Sequence, residues 1–243
     1  MSSGLRLRLL AFLIQSAQQL EIRPIVKYSA LSLFADRFYP SLSRFRQSNG
    51  MENWLLHPIR ESNLQLFALI SIWISSKVHD SHPLSVKSVK SLGDKMIKEQ
   101  YFTIRDFLEA EVVLMQVLNF EIGTSNIAFK FLEEICIQFK GVARVGKLVN
   151  FVACMDIMDL LYEKEETSSL YNSPRYLAAS ILVVSYVITV PRQRWEFPLL
   201  PWGNMLFYMK YIQLSGVPSS FSVWGKKGTD LVFKLFNFDQ LST

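Results

Sequence analysis

Glu111 has surroundings that set it apart from the other acidic residues of the chain. Phe107 and Leu108 lie one turn before it, Leu114 and Met115 one turn after and Leu118 two turns on, so helical spacing puts its carboxylate on an apolar stripe. An isolated carboxylate there is costly. It needs a buried partner, or an opening through which a group from outside the domain reaches it. Lys77 ends a long apolar run at what reads as a helix C-terminus, where a cation complements the helix dipole. A Lys and a Glu at the edge of one apolar surface could equally form a docking site whose charges orient a partner.

Other constellations offer less. His79 and His82 are three apart with Asp80 between them, the beginning of a metal site, but no third ligand stands nearby and they read as exposed loop histidines beside a helix end. There is no nucleophile elbow, Walker loop or dinucleotide fingerprint, and no cysteine with a partner histidine. Cys136 and Cys154 both sit in apolar surroundings, which gives neither a zinc quartet nor a disulfide framework. The expectation is a non-enzyme with no metal and no cofactor, in a reducing intracellular compartment, nucleus and/or cytoplasm.

The elements that position these residues follow from composition and periodicity. Of 243 residues 50% are hydrophobic and 19% charged, with only 10 Gly and 9 Pro, so the chain must fold around a core. Its net charge of +5 comes from 26 basic residues scattered among 21 acidic ones, which indicates no dedicated nucleic-acid stripe. The apolar run Tyr176 to Val190 is shorter than the ~20 residues of a bilayer span, and its Ala178, Ala179, Ser180 and Ser185 suit close helix packing. The run Leu9 to Ile14 after Arg6 and Arg8 is too short for a signal-peptide core.

Helical periodicity predicts Leu5–Leu20, then a helix from Pro24 to about Tyr39, a polar loop Pro40–Ser62, an apolar helix Asn63–Lys77, and helices Ser85–Lys98 and Thr103–Asn119. Thr103 is the candidate N-cap of the last, with Asp106 three residues on. From Thr124 the pattern restarts with Asn126–Phe139, Ala143–Leu161, Pro174–Thr189 and Gly203–Gln213. The prediction is all-α: two tandem five-helix units, residues 1–123 and 124–243, each built around a wholly apolar third helix. Val217–Thr243 carries glycines and aromatics without clean periodicity, so the pattern does not establish a fifth helix in the second unit.

Three segments carry a family resemblance. Phe34-Ala35-Asp36-Arg37-Phe38 is similar to a hydrophobic-x-Asp-Arg-Phe helix end, and Leu64-Gln65-Leu66 through Ile74-Ser75-Ser76-Lys77 to an L-Q-L…A-S-K hub helix. Glu111-x-x-Leu114-x-x-x-Leu118-Asn119-Phe120-Glu121-Ile122 is similar to an M-E…L-x-F-x-L ending. With order and spacing kept across residues 34–122, the chain resembles the cyclins, regulatory subunits of cyclin-dependent protein kinases, and among them the plant J-type. The second half resembles the C-terminal cyclin repeat through Ser173–Thr189 and Trp195–Trp202.

The resemblance implies cyclin-type repeats, cell-cycle control, and binding and activation of a cyclin-dependent kinase, with kinase substrates or inhibitors as further partners. It matches Lys77 and Glu111 to the charged pair that grips the kinase, and Ile74, Val78, Met115, Phe120 and Ile122 to apolar positions around it. It gives Asp36 a structural ion pair with an arginine of the first helix, Arg8 or, one turn away, Arg6. Of the family's substrate-docking patch Leu64 and Gln65 remain, while Leu13 stands where a tryptophan is usual. His79-Asp80 replaces an acidic pair after the Lys. Two alternatives differ in class: a transcription-factor-type cyclin fold on promoter DNA or a polymerase-associated factor, and a small membrane protein.

Overall fold

The computed structural model describes residues 3–48, 53–123, 126–142, 147–163 and 173–191. Every regular element among them is helical. The chain divides into two units, residues 1–127 and 128–243.

In the first unit, α1 (Ser3–Gln19), α2 (Pro24–Leu31), α3 (Tyr39–Ser48), α5 (Val86–Met96) and α6 (Ile104–Val117) are arranged around α4 (Glu61–His79). α4 is the hub because its sequence leaves almost no polar face: Leu64, Leu66, Phe67, Leu69, Ile70, Ile72, Trp73 and Ile74 are all buried. Two serines of this helix bond within it, Ser71 Oγ donating to the Phe67 carbonyl at 2.9 Å and Ser76 Oγ to the Trp73 carbonyl at 2.8 Å, while Ser75 Oγ is buried without a hydrogen-bond partner among the described residues. α1, α2, α5 and α6 all pack directly on α4. Gly93 lets α5 approach: a Cβ there would lie 3.0 Å from Phe107 Cζ and 3.3 Å from Leu69 Cδ1.

The helix that starts with Pro24 at its first turn does not end near Tyr39, as expected. It passes through a π-helical stretch, Ser32–Phe38, directly into α3, so the expected loop after Tyr39 is helical as far as Ser48. The amide of Tyr39 reaches back to the Phe34 carbonyl, the long step of π geometry. This stretch buries Phe34 and Phe38 together, and Phe38 packs on Phe67 of the hub with ring centroids 4.7 Å apart.

In the second unit α7 (Ala128–Val142) and α8 (Phe151–Tyr162) both pack on α9 (Pro174–Thr189), whose bounds coincide with those expected. α8 begins later than the expected Ala143. Asn150 caps it, accepting from the Ala153 amide at 3.1 Å, and residues 147–150 lie outside the helix. Ser185 of α9 donates to the Asn150 carbonyl at 3.0 Å, tying that cap to the unit's apolar third helix. No helix among the described residues is long and apolar enough to cross a membrane. The expected helix Gly203–Gln213, the Trp195–Trp202 match and the Val217–Thr243 segment lie outside the described residues.

Candidate functional site

The end of α4 and the middle of α6 bring Lys77 and Glu111 together. Lys77 Nζ donates to Glu111 Oε1 at 2.6 Å, and the Lys side chain is 38% exposed against 15% for the Glu. Lys77 also lies over the indole of Trp73, one turn earlier on α4, with Nζ 3.6 Å from the ring centroid. That indole is itself fixed, since its Nε1 donates to the Leu84 carbonyl at 2.9 Å and its ring is buried. The ammonium is thus preset between a ring face and a carboxylate. Of its three N–H groups one is used by Glu111, and among the described residues Glu111 Oε2 receives no hydrogen bond. The pair therefore offers a donor and an acceptor side by side.

The helix carrying Glu111 is set by its N-terminus. Thr103 Oγ1 accepts from the Asp106 amide at 3.3 Å while Asp106 accepts from the Thr103 amide at 2.7 Å, the reciprocal box the spacing predicts. Phe107, Leu114 and Leu118 face the core, which leaves Glu111 at the margin of the stripe rather than its centre.

Around the pair, Val78 is 52% and Phe120 63% exposed, Met115 and Ile122 are half-buried, and Ile74 is buried at 3%. Ile74 is therefore a support of the face and not part of its surface. Leu108 and Val112 of α6, which sequence reasoning did not assign to the face, add exposed apolar area. α6 closes with the Asn119 amide on the Gln116 carbonyl at 3.0 Å and the Phe120 amide on the Met115 carbonyl at 2.8 Å. Asn119 (φ 51°) and Phe120 (φ 60°) are both left-handed, a conformation that costs a side chain such as Phe about 1–3 kcal/mol and has to be held by its surroundings. Arg37 does part of this holding, donating to the carbonyls of Glu121 and of Gly123, the latter at 3.1 Å.

The other expected residues are placed differently. Arg8 does not pair with Asp36: its Nε and Nη2 donate to the two carboxylate oxygens of Glu61 at 2.9 and 2.7 Å. Glu61 opens α4, where a carboxylate also complements the helix dipole, and the Arg8 hydrogen bond holds its carboxyl below the usual range. Arg6, the other candidate, keeps Nη1 buried and without a hydrogen-bond partner among the described residues. Asp36 lies half-buried in the π-helical stretch. Leu64 is buried and Gln65 half-buried, so the exposed part of that patch is Gln65 alone. His79 is the last residue of α4 rather than a loop residue, its Nε2 2.7 Å from Ser29 Oγ, and Asp80 pairs with Arg23. No group of three or more metal-ligating residues occurs among the described residues. Cys136 and Cys154 are buried free thiols, pushed up by desolvation to about 11 and about 12 respectively.

Residues 1–123 match the family model for the cyclin N-terminal domain. The chain is 65% identical over 202 residues to Cyclin-J18 of Arabidopsis thaliana, covering 83% of this chain and 86% of that one. It is 53% identical over 203 residues to Cyclin-J18-like of Oryza sativa subsp. japonica, covering 81% and 78%. The crystal structure of a viral cyclin from herpesvirus saimiri superposes with a TM-score of 0.59 at 16% identity, covering 98% of this chain and 89% of that one, a likeness of fold. A hub helix with Lys77 in its last turn, a second helix that supplies Glu111 and identity sustained over most of the sequence agree: the chain belongs to the cyclin family, as a plant J-type cyclin.

Proposed function

We propose that this chain is the regulatory subunit of a cyclin-dependent protein kinase, acting in cell-cycle control in the nucleus and/or cytoplasm, and that it docks the kinase through the Lys77–Glu111 face. The observation that carries the reading is the preset ion pair itself, ringed by exposed Val78 and Phe120 in a member of this family. Apolar surface supplies affinity and the paired charges supply register, the usual division of labour at a protein interface.

The cyclin contributes no reacting group. A protein kinase needs its β3 lysine paired with a glutamate on its αC helix, and a subunit that binds only that arrangement stabilises it by the difference between its affinities for the two states. Shifting an equilibrium from about 1:99 to 99:1 takes roughly 5.5 kcal/mol of such preference, within reach of a standard-sized interface with a few buried anchors.

The test is to mix the purified full chain with candidate cyclin-dependent kinases and measure co-elution and phosphorylation of a peptide substrate. Stoichiometric association with a gain in kinase activity supports the reading. Failure to bind any of them, with binding to DNA that falls steeply as salt rises, would move the chain to the transcription-factor class.

A further inference from the structure

The clearest unused device in the first unit is the bridge from Arg37 to the chain that follows α6. The guanidinium donates to the carbonyls of Glu121 and Gly123, the two that flank Ile122. The two carbonyls are reached from different nitrogens, Nη1 to Gly123 and Nη2 to Glu121, so the planar fork of N–H donors spans both at once, which a single ammonium does not reproduce. Immediately before this segment Asn119 and Phe120 occupy left-handed backbone, and Phe120 turns 63% of its surface to solvent. An exposed aromatic residue in an unfavourable backbone conformation is kept there by something, and Arg37 holds the residues next to it.

Arg37 owes its aim to the π-helical stretch. With Phe34 and Phe38 both committed to the core, residues Asp36 and Arg37 between them are left half-buried at its margin. Met115, whose carbonyl receives the Phe120 amide, lies one turn after Glu111 on the same face of α6, so the turn and the ion pair belong to one surface.

We propose that Arg37 is a positioning residue of the docking face: by clamping the 121–123 backbone it presents Phe120 as a preformed apolar anchor beside the Lys77–Glu111 pair. This rests on the kinase-docking reading above and adds to it the residue that preorganises the anchor. Preorganisation lowers the ordering cost of binding.

The experiment uses the full chain with Arg37→Ala, Arg37→Lys, Phe120→Ala and the double variant Arg37→Ala/Phe120→Ala. Kinase affinity and amide hydrogen exchange of the free protein are both measured. Either substitution at Arg37 is expected to weaken the kinase complex roughly tenfold, the scale of fixing about one residue's backbone on binding once the clamp no longer holds it, while the melting temperature falls by no more than a few degrees. In the Phe120→Ala background the loss of Arg37 should cost nothing further. Exchange should quicken at residues 119–123 and not along α4 or α6. Unchanged affinity in Arg37→Ala, losses that simply add in the double variant, or faster exchange across the whole unit would each overturn the proposal, the last by showing a role in stability alone. If Arg37→Ala does not fold, Arg37→Lys carries the same comparisons. If the parent binds no kinase, the docking reading falls by itself, and the clamp is decided by whether Arg37→Lys speeds exchange at 119–123 only.

Discussion

Glu61 opens the hub helix beside Arg8, and its carboxyl is held below the ordinary range by the hydrogen bond from that guanidinium, with burial opposing the shift. A carboxyl lowered in the folded state stabilises it above the ordinary Glu range and loses that contribution as pH falls through the lowered value. Glu61→Gln should therefore reduce the melting temperature at pH 7, with the difference from the parent vanishing in strong acid. A constant difference across a pH series of thermal melts would show that the ion pair contributes nothing. Which residues would meet was only partly legible at this scale. Lys77 and Glu111 stood out because each is the wrong type for an apolar run, and the fold brings them to 2.6 Å. The resemblance pairs Asp36 with Arg8 or Arg6, and Glu61 stands in a segment that reads as loop, so its place at a helix start, where both a cation and the helix dipole draw a carboxylate, is hidden in the sequence. Arg37 gave no signal of its own, since its acceptors are backbone carbonyls that carry no side-chain pattern.

The helix start that positions Glu111 is the Thr103–Asp106 box, legible because a capping residue and its reciprocal acidic partner lie at fixed spacing ahead of an apolar run. Thr103→Ala leaves an orphan amide and should destabilise the first unit by about 1 kcal/mol, read from urea unfolding, with Thr103→Ser nearly neutral. No loss in the Ala variant would mean that water replaces the cap. The helix through Tyr39 runs past its expected end for the opposite reason. Pro40 reads as a stop because it lacks an N–H and crowds the preceding turn, yet the π-helical stretch before it has already left the ordinary i→i−4 ladder. Phe34 stacks on Phe38 and Phe38 packs on Phe67 of the hub in that detour, and such contacts lie beyond local periodicity. α9 was read at its true bounds, since Pro174 starts it and an unbroken apolar run fills it.

At the scale of the molecule, the all-α architecture of the described residues follows from apolar periodicity alone, whereas the proposed docking face requires the folded chain: Ile74 is buried and Leu108 and Val112 of α6 are exposed. The buried thiols belong to this scale because both lie inside the second unit. With burial pushing Cys136 to about 11 and Cys154 to about 12, neither is a thiolate at neutral pH. Iodoacetamide at pH 8 should leave both unmodified in the native chain and modify both in guanidinium. Rapid labelling of the native protein would show that the unit opens.

The central claim is that the polarity of the Lys77–Glu111 pair is read by a kinase. Because the two residues already satisfy one another, a single charge reversal sets like charges together inside the chain and confounds docking with stability. The exchange Lys77→Glu/Glu111→Lys keeps an internal pair and inverts what the surface offers. Its affinity for the cyclin-dependent kinase that binds the parent is the decisive measurement, made alongside a thermal melt. The account predicts a melt near that of the parent with at least about 30-fold weaker association, the scale of a mismatched charge at an interface. Association as tight as the parent's would contradict it, and would leave the pair a purely internal contact between α4 and α6.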